Sequence, residues 1–145
     1  MARLIGTHSA TFDSKNRLTV PVIVRPALGD RVVIAGGPDP CALVYPDWTW
    51  RALEEAVLRL PPFDEEAAWV KRAFGDCAEE RAIDDQGRLM VSERIREVCG
   101  LESRTVIIVG VFDKLEIWDR DAYDRLRAER VTPRWRRDVG NRLQP

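Results

Sequence analysis

Hydrophobic and polar residues alternate along this chain in short runs, and one series of elements is written twice. Two strand-like segments, Ser9 to Phe12 and Arg17 to Val20, flank a polar turn with the sequence D-S-K-N. Seventy-one positions later, the turn D-D-Q-G is followed by R-L-M-V, which has the same alternation. The pattern Asp-x-x-x-Arg-Leu-x-Val therefore occurs twice, and this repetition predicts two related structural units.

The match between the two copies continues beyond their turns. At the same offset, pairs of identical residues coincide, which are Arg17 and Arg88, Leu18 and Leu89, Val20 and Val91, Arg25 and Arg96, and Gly29 and Gly100. After the glycine the register slips by a few residues, and two strands rich in apolar residues follow in each copy. Each copy spans about 40 residues, which is too few to bury a core alone. We therefore expect the copies to interlock.

Turn and cap residues predict the order strand, turn, strand, helix, strand, turn, strand for each copy. The residue before the arginine is Asn16 in one copy and Gly87 in the other, and both types tolerate the positive φ of tight hairpin turns. Pro21 is expected to open the first short helix and Ser92 to cap the second. The paired glycines downstream are expected to end both helices.

A helical insert separates the copies, and further helical sequence follows the second one. An apolar stripe at helical spacing begins after Asp47 and is formed by Trp50, Leu53, Val57 and Leu60. Asp64 should cap another helix, and one more is predicted after Asp119. Three aromatic residues belong either to the core or to contacts between subunits, namely Trp50, Trp69 and Tyr123. The basic tail is either a short helix or disordered.

Composition fits a soluble globular protein. The 145 residues suit one domain or two small halves that share a core, with 45% hydrophobic and 32% charged residues. No apolar run approaches the roughly 18 residues that cross a bilayer. The N-terminal segment lacks the pattern of a signal peptide. We expect a cytoplasmic location and no membrane partner.

The charge pattern leaves nucleic-acid binding open. A net charge of −1 neither indicates nor excludes it, because binding depends on where the charges lie. Arginine dominates the cations, since only Lys15, Lys71 and Lys114 are lysines. This bias favours planar, bidentate contacts to carboxylate, phosphate or guanine. It is equally compatible with a composition set by genome base content or by stability.

The sequence contains no catalytic or metal-binding pattern. Cys41, Cys77 and Cys99 lie far apart without a CxxC pair, which argues against a disulfide framework and a zinc site. His8 is the only histidine, and no second histidine or suitably placed cysteine completes a dyad. No glycine-rich phosphate-binding motif occurs. We therefore predict no catalytic residue, no metal ion and no cofactor, and we do not expect an enzyme.

Several segments together resemble the MraZ family of bacterial transcriptional regulators. They are F-D-S-K-N-R-L-T-V-P, I-D-D-Q-G-R-L-M-V, the helix-ending glycines and the closing L-E-I-W-D, and the resemblance covers roughly residues 4 to 130. Proteins of that family carry two SpoVT-AbrB-like swapped-hairpin modules in one chain. One departure lies in the first turn, where Asn16 replaces the family's usual glycine.

The resemblance implies a fold and a division of the chain. The fold is of the α+β class, with two interlocked swapped-hairpin modules that form a small β-barrel-like core with flanking helices. The modules are expected at residues 7–47 and 78–121, the helical insert at 48–77, and the C-terminal helix with its basic tail at 122–145.

The same resemblance implies a sequence-specific DNA-binding regulator that acts as a ring-like homo-oligomer. Its partner would be double-stranded DNA with direct repeats in the promoter of the division and cell-wall gene cluster, so that the protein would be nucleoid-associated. The alternative is a protein-binding assembly or antitoxin-like module of the same fold, because fold alone does not determine function. A salt titration separates the two, since phosphate contacts weaken steeply with salt.

The residues expected at the DNA come from the two turns. They are Lys15, Asn16, Arg17 and Arg88, with the turns themselves shaped by Asp13, Asp84 and Gly87. Arg17 would bind a guanine edge in the major groove, and Lys15 would neutralise phosphate. Alternatively, the pair of Asp13 and Arg17 only closes the turn.

The second turn is expected to contact DNA more weakly than the first. Acidic Asp85 and neutral Gln86 stand where the first turn has Ser14 and Lys15, so positive character is lost. Arg88 is accordingly either a DNA contact or a structural residue.

Overall fold

The computed structural model of the chain describes residues 3–37 and 39–144, in which eight strands and six helices form. The first repeat contains β1 (Leu4–Thr11), β2 (Arg17–Thr19), α1 (Arg25–Leu28), β3 (Arg31–Gly36) and β4 (Cys41–Pro46). The insert contains α2 (Asp47–Leu58) and α3 (Glu65–Gly75). The second repeat contains β5 (Glu79–Ala82), β6 (Arg88–Met90), α4 (Glu93–Val98), β7 (Thr105–Phe112) and β8 (Leu115–Asp119). The chain continues with α5 (Arg120–Arg130) and α6 (Pro133–Arg142).

None of the helices in this described part of the chain is long and apolar enough to cross a membrane.

The two repeats exchange strands. Six strands form an antiparallel sheet in the order β1-β7-β8-β4-β3-β5, so the first strand of each repeat pairs with the third strand of the other. The second strands, β2 and β6, pair only with each other and form a separate ribbon in which Leu18 lies opposite Leu89. This arrangement confirms the α+β class and the prediction that the copies interlock.

The expected barrel-like core is not a closed barrel. Strands β1 and β5 are the two edges of the sheet, and neither pairs with the β2–β6 ribbon. Each ribbon strand is only three residues long. Its backbone N–H and carbonyl groups form hydrogen bonds with the other ribbon strand and with the turns. The ribbon therefore covers the core beside an open sheet and does not join its edges.

Backbone bonds at the ends of the ribbon follow the same two-fold pattern. The N–H of Val20 donates to the carbonyl of Gly87 at 2.8 Å, and the N–H of Val91 donates to the carbonyl of Asn16 at 2.9 Å. Each strand is thus bound to the turn of the other repeat. The two turns cannot move independently of the pairing.

The core has one cluster on each face of the sheet. The larger one lies between the sheet, the ribbon and the short helices, and includes Leu18, Val24, Leu89, Ile95 and Ile117. On the other face, Tyr45 contacts Trp50 and Trp118 contacts Tyr123, with ring centroids 5.3 Å and 5.4 Å apart. Trp50 and Tyr123 therefore belong to the core, whereas Trp69 is 60% exposed.

Caps explain where most helices begin. Asp64 and Ser92 each accept a backbone N–H of the first turn of α3 and α4, as predicted from their residue types. Asp119 does the same for α5, the helix predicted to follow it. Thr132 does the same for α6, so the tail forms a short helix. Gly100, with a φ of 71°, follows the last turn of α4, and the N–H of Leu101 bonds back to the carbonyl of Arg96.

The first short helix starts later than expected. Pro21 precedes a turn, and α1 begins only at Arg25, with Pro26 in its first turn. A helix that began at Pro21 would place Pro26 in its interior, where the ring clashes with the carbonyl four residues earlier and removes a donor. The second proline therefore decides the start of α1. Strand β1 also differs from the expectation, because it extends from Leu4 to Thr11 along β7.

The exchange of strands predicts that one repeat cannot fold alone. A fragment of residues 1–62 lacks the partners of β1 and β2, and β3 lacks one of its two neighbours. We expect this fragment to aggregate or to form an oligomer in which a second copy supplies the missing strands. Size-exclusion chromatography with heteronuclear NMR of the fragment tests this expectation, and a stable, monomeric, well-dispersed fragment would contradict it.

The close approach of β1 and β7 predicts that one glycine is essential. A Cβ atom on Gly110 would lie 2.4 Å from the backbone nitrogen of Ile5, and a backbone atom cannot move aside as a side-chain tip can. Gly110→Ala should therefore destabilise the fold by about 3 kcal/mol, a drop in Tm of roughly 10 °C. Gly140→Ala in α6 is the control, because no atom lies within 4 Å of its Cβ position and alanine favours a helix. Equal thermal melts for the two variants would contradict this interpretation.

Candidate nucleic-acid interface

The first D-x-x-x-R turn is closed by its own aspartate. The N–H of Asn16, whose φ is 60°, donates to the carbonyl of Asp13 at 3.1 Å. Oδ1 of Asp13 accepts the backbone N–H groups of Lys15 and Arg17 at 2.8 Å and 2.9 Å. Oδ2 accepts Nε of Arg17 at 2.8 Å. One carboxylate thus holds both the backbone of the turn and the guanidinium of Arg17.

The second turn repeats this geometry. Oδ1 of Asp84 accepts the N–H groups of Gln86 and Arg88 at 2.9 Å and 2.8 Å, while Nε of Arg88 lies 3.3 Å from Oδ2. Gly87 is buried and has a φ of 77°. The second ion pair is therefore longer than the first, while the backbone of the turn is held in the same way.

Both aspartates are ionised at neutral pH. The backbone N–H of Arg17 is the main cause that lowers the pKa of the Asp13 carboxyl, and the N–H of Arg88 does so for the pKa of Asp84. Because folding lowers the pKa of each carboxyl, these contacts stabilise the turns fully at pH values above the ordinary carboxyl pKa of 3.8. The contribution is lost as the pH falls through the lowered pKa.

The contact that closes the turn leaves part of each arginine available. Asp13 and Asp84 engage Nε, and no hydrogen bond within the described residues engages the Nη atoms of Arg17 or Arg88. The side chains of these arginines are 26% and 32% exposed. The structural interpretation of the Asp–Arg pair and the DNA-contact interpretation are therefore compatible, because they use different nitrogen atoms.

The ribbon places both arginines on one face. Leu18 and Leu89 point into the core, so the residues on either side of them point outward. Arg17 lies opposite Met90, and Thr19 lies opposite Arg88. The two arginines are therefore diagonal neighbours on the outer face, with Cα atoms about 7–8 Å apart.

Further cations surround the first turn. Nη1 of Arg96 donates to Oδ1 of Asn16 at 2.7 Å, and Nη1 of Arg104 donates to the carbonyl of Asp13 at 2.9 Å. Lys15 is exposed at the tip of the turn. With Arg17, these side chains bring four cations to the first turn, whose own carboxylate is that of Asp13. Arg96 also lines a surface groove with Glu93, Glu97 and Glu102.

The second turn is electrically balanced. Arg25 is the cation that approaches it from outside, with Nη2 at 3.5 Å from the carbonyl of Gln86. Together with Arg88 it faces the two carboxylates of Asp84 and Asp85. The structure therefore makes the first turn the more positive of the two, and it places all seven sequence-predicted site residues on these two turns and the ribbon between them.

Sequence reasoning assigned no role to three arginines at this site. Arg25 and Arg96 occupy equivalent positions in the two repeats, 71 residues apart, and this equivalence could have marked them as residues with a shared role. Arg104 has no such counterpart, and it reaches the first turn because its carbonyl accepts the N–H of Phe12 where the strands are exchanged.

Titratable and metal-ligating side chains also lie outside the two turns. No group of three or more His, Cys, Asp or Glu side chains there is placed to hold a metal ion. The cysteines are distant in sequence, yet the sulfurs of Cys77 and Cys99 lie 3.5 Å and 3.7 Å from the Cβ position of Gly36. Burial raises the pKa of Cys99 to about 11 and raises that of Cys41 further, so both thiols stay protonated. His8 is half-buried on β1.

Comparison with known proteins places these features in a family. The model of the MraZ protein family, described as antitoxin-like, matches residues 4–73 and 76–134. The chain is 37% identical to the transcriptional regulator MraZ of Desulforamulus reducens over 86% of this chain and 87% of the relative. It is 37% identical to that of Alkaliphilus metalliredigens, over 82% of each chain, and 36% identical to that of Natranaerobius thermophilus, over 83% of each chain.

The relatives match most of the chain, and the residues matched by the family model include both turns, the ribbon and the exchanged strands. The resemblance drawn from the repeated motif is thereby confirmed, and the chain belongs to the MraZ family.

Proposed function

We propose that the chain is a sequence-specific DNA-binding transcriptional regulator and that the β2–β6 ribbon with its two turns is the surface that contacts DNA. The observation that carries the proposal is the placement of Arg17 and Arg88 on one exposed face of one two-stranded ribbon. The relatives named as transcriptional regulators support it.

The shape of the ribbon suits a major groove. The groove is about 12 Å wide and admits a two-stranded ribbon, and guanine offers O6 and N7 to a bidentate arginine. Both arginines have Nη atoms without a hydrogen bond in the described part of the chain. Arg17 would read a base, Lys15 at the exposed tip would contact phosphate, and Asn16 would lie close to the backbone of the DNA.

The distribution of charge favours the first turn for the stronger contact. The whole chain carries a net charge of −1, so long-range attraction to DNA is weak and the local field has to supply it. Arg104 adds positive charge beside Lys15 and Arg17, while Asp85 offsets Arg88 in the second turn. The functional unit would be the pair of modules at 7–47 and 78–121 together, because each turn is completed by the other module.

Oligomer formation would compensate for the small number of contacts per subunit. Several ribbons in a ring-like homo-oligomer could engage successive direct repeats, and linked modest contacts multiply affinity. Such a protein would reside on chromosomal DNA in the cytoplasm. The division and cell-wall gene cluster would be its target, as the family resemblance implies.

The insert supplies a surface for contacts between subunits. Its exposed large apolar residues are Trp48, Leu58, Phe63 and Trp69, and Phe63 is fully exposed. We expect another subunit to cover these side chains, because large exposed apolar areas mark interaction surfaces. Residues 47–76 hold seven acidic and four basic residues, whereas residues 120–144 hold four acidic and eight basic ones. This opposite charge favours contact between the insert of one subunit and the C-terminal helices of the next.

We expect Arg17→Ala to weaken binding to promoter DNA by roughly 5- to 150-fold for each engaged subunit, the equivalent of one bidentate guanine contact. Arg88→Ala should weaken binding less, because its turn is electrically balanced. Lys15→Ala should reduce the slope of log Kd against log salt by about one per engaged subunit. Fluorescence anisotropy at several salt concentrations measures all three effects.

Two controls make this test specific. Thermal melts identify any variant in which loss of the Asp–Arg contact unfolds the protein. Arg59→Ala removes an exposed arginine at the end of α2 and should leave binding unchanged. If folded Arg17→Ala binds like the parent while Arg88→Ala abolishes binding, the second turn is the main contact. If the parent binds no DNA at any salt concentration, the protein-binding alternative replaces the proposal.

We expect the parent protein to sediment as a ring-sized oligomer at micromolar concentration and the double variant Phe63→Asp, Trp69→Asp to dissociate. Both substitutions replace a large exposed apolar side chain of the insert by a charged one. The Trp69 substitution also removes the ring that Arg72 contacts. Phe112→Asp is the control, since it changes an exposed apolar residue at the end of β7, outside both the insert and the C-terminal helices. Analytical ultracentrifugation measures the mass, and a strictly monomeric parent would contradict the ring.

A further inference from the structure

Two arginines reach from the helix of one repeat to the turn of the other. Arg25 lies at the start of α1, and its Nε donates to the carbonyl of Val20 at 2.9 Å while Nη2 approaches the carbonyl of Gln86. Arg96 lies in α4, and its Nη1 donates to Oδ1 of Asn16 at 2.7 Å. The contacts of Arg25 with Gln86 and of Arg96 with Asn16 join the two repeats in both directions. Of the side-chain contacts found at either turn, only that of Arg104 joins residues farther apart in sequence.

Arg25 occupies the space beside Gly87. A Cβ atom on Gly87 would lie 1.9 Å from Cζ of Arg25 and 2.0 Å from its Nη2. The guanidinium cannot easily withdraw, because its Nε is bound to the carbonyl of Val20. Gly87 is therefore needed for a positive φ and also for the room that the arginine takes.

Arg96 holds the first turn by different means. Its Cζ lies 4.3 Å from the centre of the Phe12 ring, and its Nη1 bonds the side chain of Asn16. The second repeat has Ile83 at the position of Phe12, so it offers no ring to Arg25. A charge-assisted hydrogen bond and a cation–π contact are both individually favourable. Asn16 is thus more than a residue that tolerates a positive φ, because its side chain is the acceptor for Arg96.

We infer that Arg96 and Arg25 are positioning residues that set the shape of the first and the second turn, respectively, from the opposite repeat. The inference rests on the proposed function, since the turns are the surface proposed to contact DNA. Arg96 is only half-exposed, and its Nη1 is already engaged by Asn16. It would act on DNA binding through the turn that carries Lys15 and Arg17, with no phosphate contact of its own.

The first arm of the test needs no DNA. Hydrogen–deuterium exchange of the full-length protein should become faster at residues 13–17 in Arg96→Ala and at residues 84–88 in Arg25→Ala, with the other turn unchanged in each case. Arg96→Lys is the second variant, since it keeps the charge and is the less disruptive substitution. It lacks the planar fork and should still accelerate exchange at the first turn.

The second arm measures DNA binding. Arg96→Ala should weaken affinity roughly tenfold, which corresponds to about one charge-assisted hydrogen bond, and should leave the salt slope of the parent unchanged. Asn16→Gly keeps the backbone of the turn and removes the acceptor, so it should lower affinity similarly. The double variant Arg96→Ala, Asn16→Gly should lose no more affinity than either single variant, because both substitutions abolish the same hydrogen bond. Lys15→Ala is the control that does lower the slope.

Each outcome separates the alternatives. A reduced salt slope in Arg96→Ala, with losses that add to those of Asn16→Gly, would show that Arg96 contacts phosphate and would overturn the positioning role. Unchanged exchange at residues 13–17 in both Arg96 variants would overturn it as well. A parent protein that binds no DNA would refute the proposed function alone, because the exchange measurements decide the positioning role independently.

Discussion

The structure depends on one constraint, which is that neither repeat can pair its own first and second strands. β1 pairs with β7, β5 pairs with β3, and β2 and β6 pair with each other. Every buried backbone donor and acceptor needs a partner, so the hydrogen bonds of one repeat are completed only by the other. The apolar faces follow the same rule, since Leu18 and Leu89 enter one common core from the two arms of the ribbon.

The same constraint builds the candidate interface. Pairing β2 with β6 in the antiparallel sense brings two arginines that are 71 positions apart in sequence to diagonal positions on one outer face. The aspartate of each turn orients its arginine through Nε, and no hydrogen bond among the described residues engages the Nη atoms. A rigid ribbon with oriented guanidinium groups loses little conformational freedom on binding, which is the advantage of a site built on regular strands.

The scaffold is nearly two-fold symmetric, yet the two turns differ in chemistry. Asn16 and Gly87 occupy equivalent positions and share a positive φ, but one presents an acceptor to Arg96 and the other leaves room for Arg25. Lys15 at the first turn and Asp85 at the second give the turns different charge. Divergence of a few side chains on a shared backbone is therefore sufficient to make one turn positive and the other neutral.

Sequence alone determined the features that arise from local physical chemistry. Caps at Ser92 and Asp64, a turn that needs Asn16 or Gly87, and the alternation of buried and outward residues on β2 are properties of short segments. The repeat also indicated interlocking, because two copies of about 40 residues cannot each bury a core. The α+β class and the family followed from these patterns.

Tertiary structure decided what depends on residues distant in sequence. The open sheet, the length of β1 and the shared face of Arg17 and Arg88 follow from which strands pair. The contacts of Arg25 and Arg96 with the opposite turns could not be read from either repeat alone, although the repeat offset marked both residues. Local propensity acts over a few residues, whereas pairing and packing join segments far apart along the chain, and only the folded chain shows which of them meet.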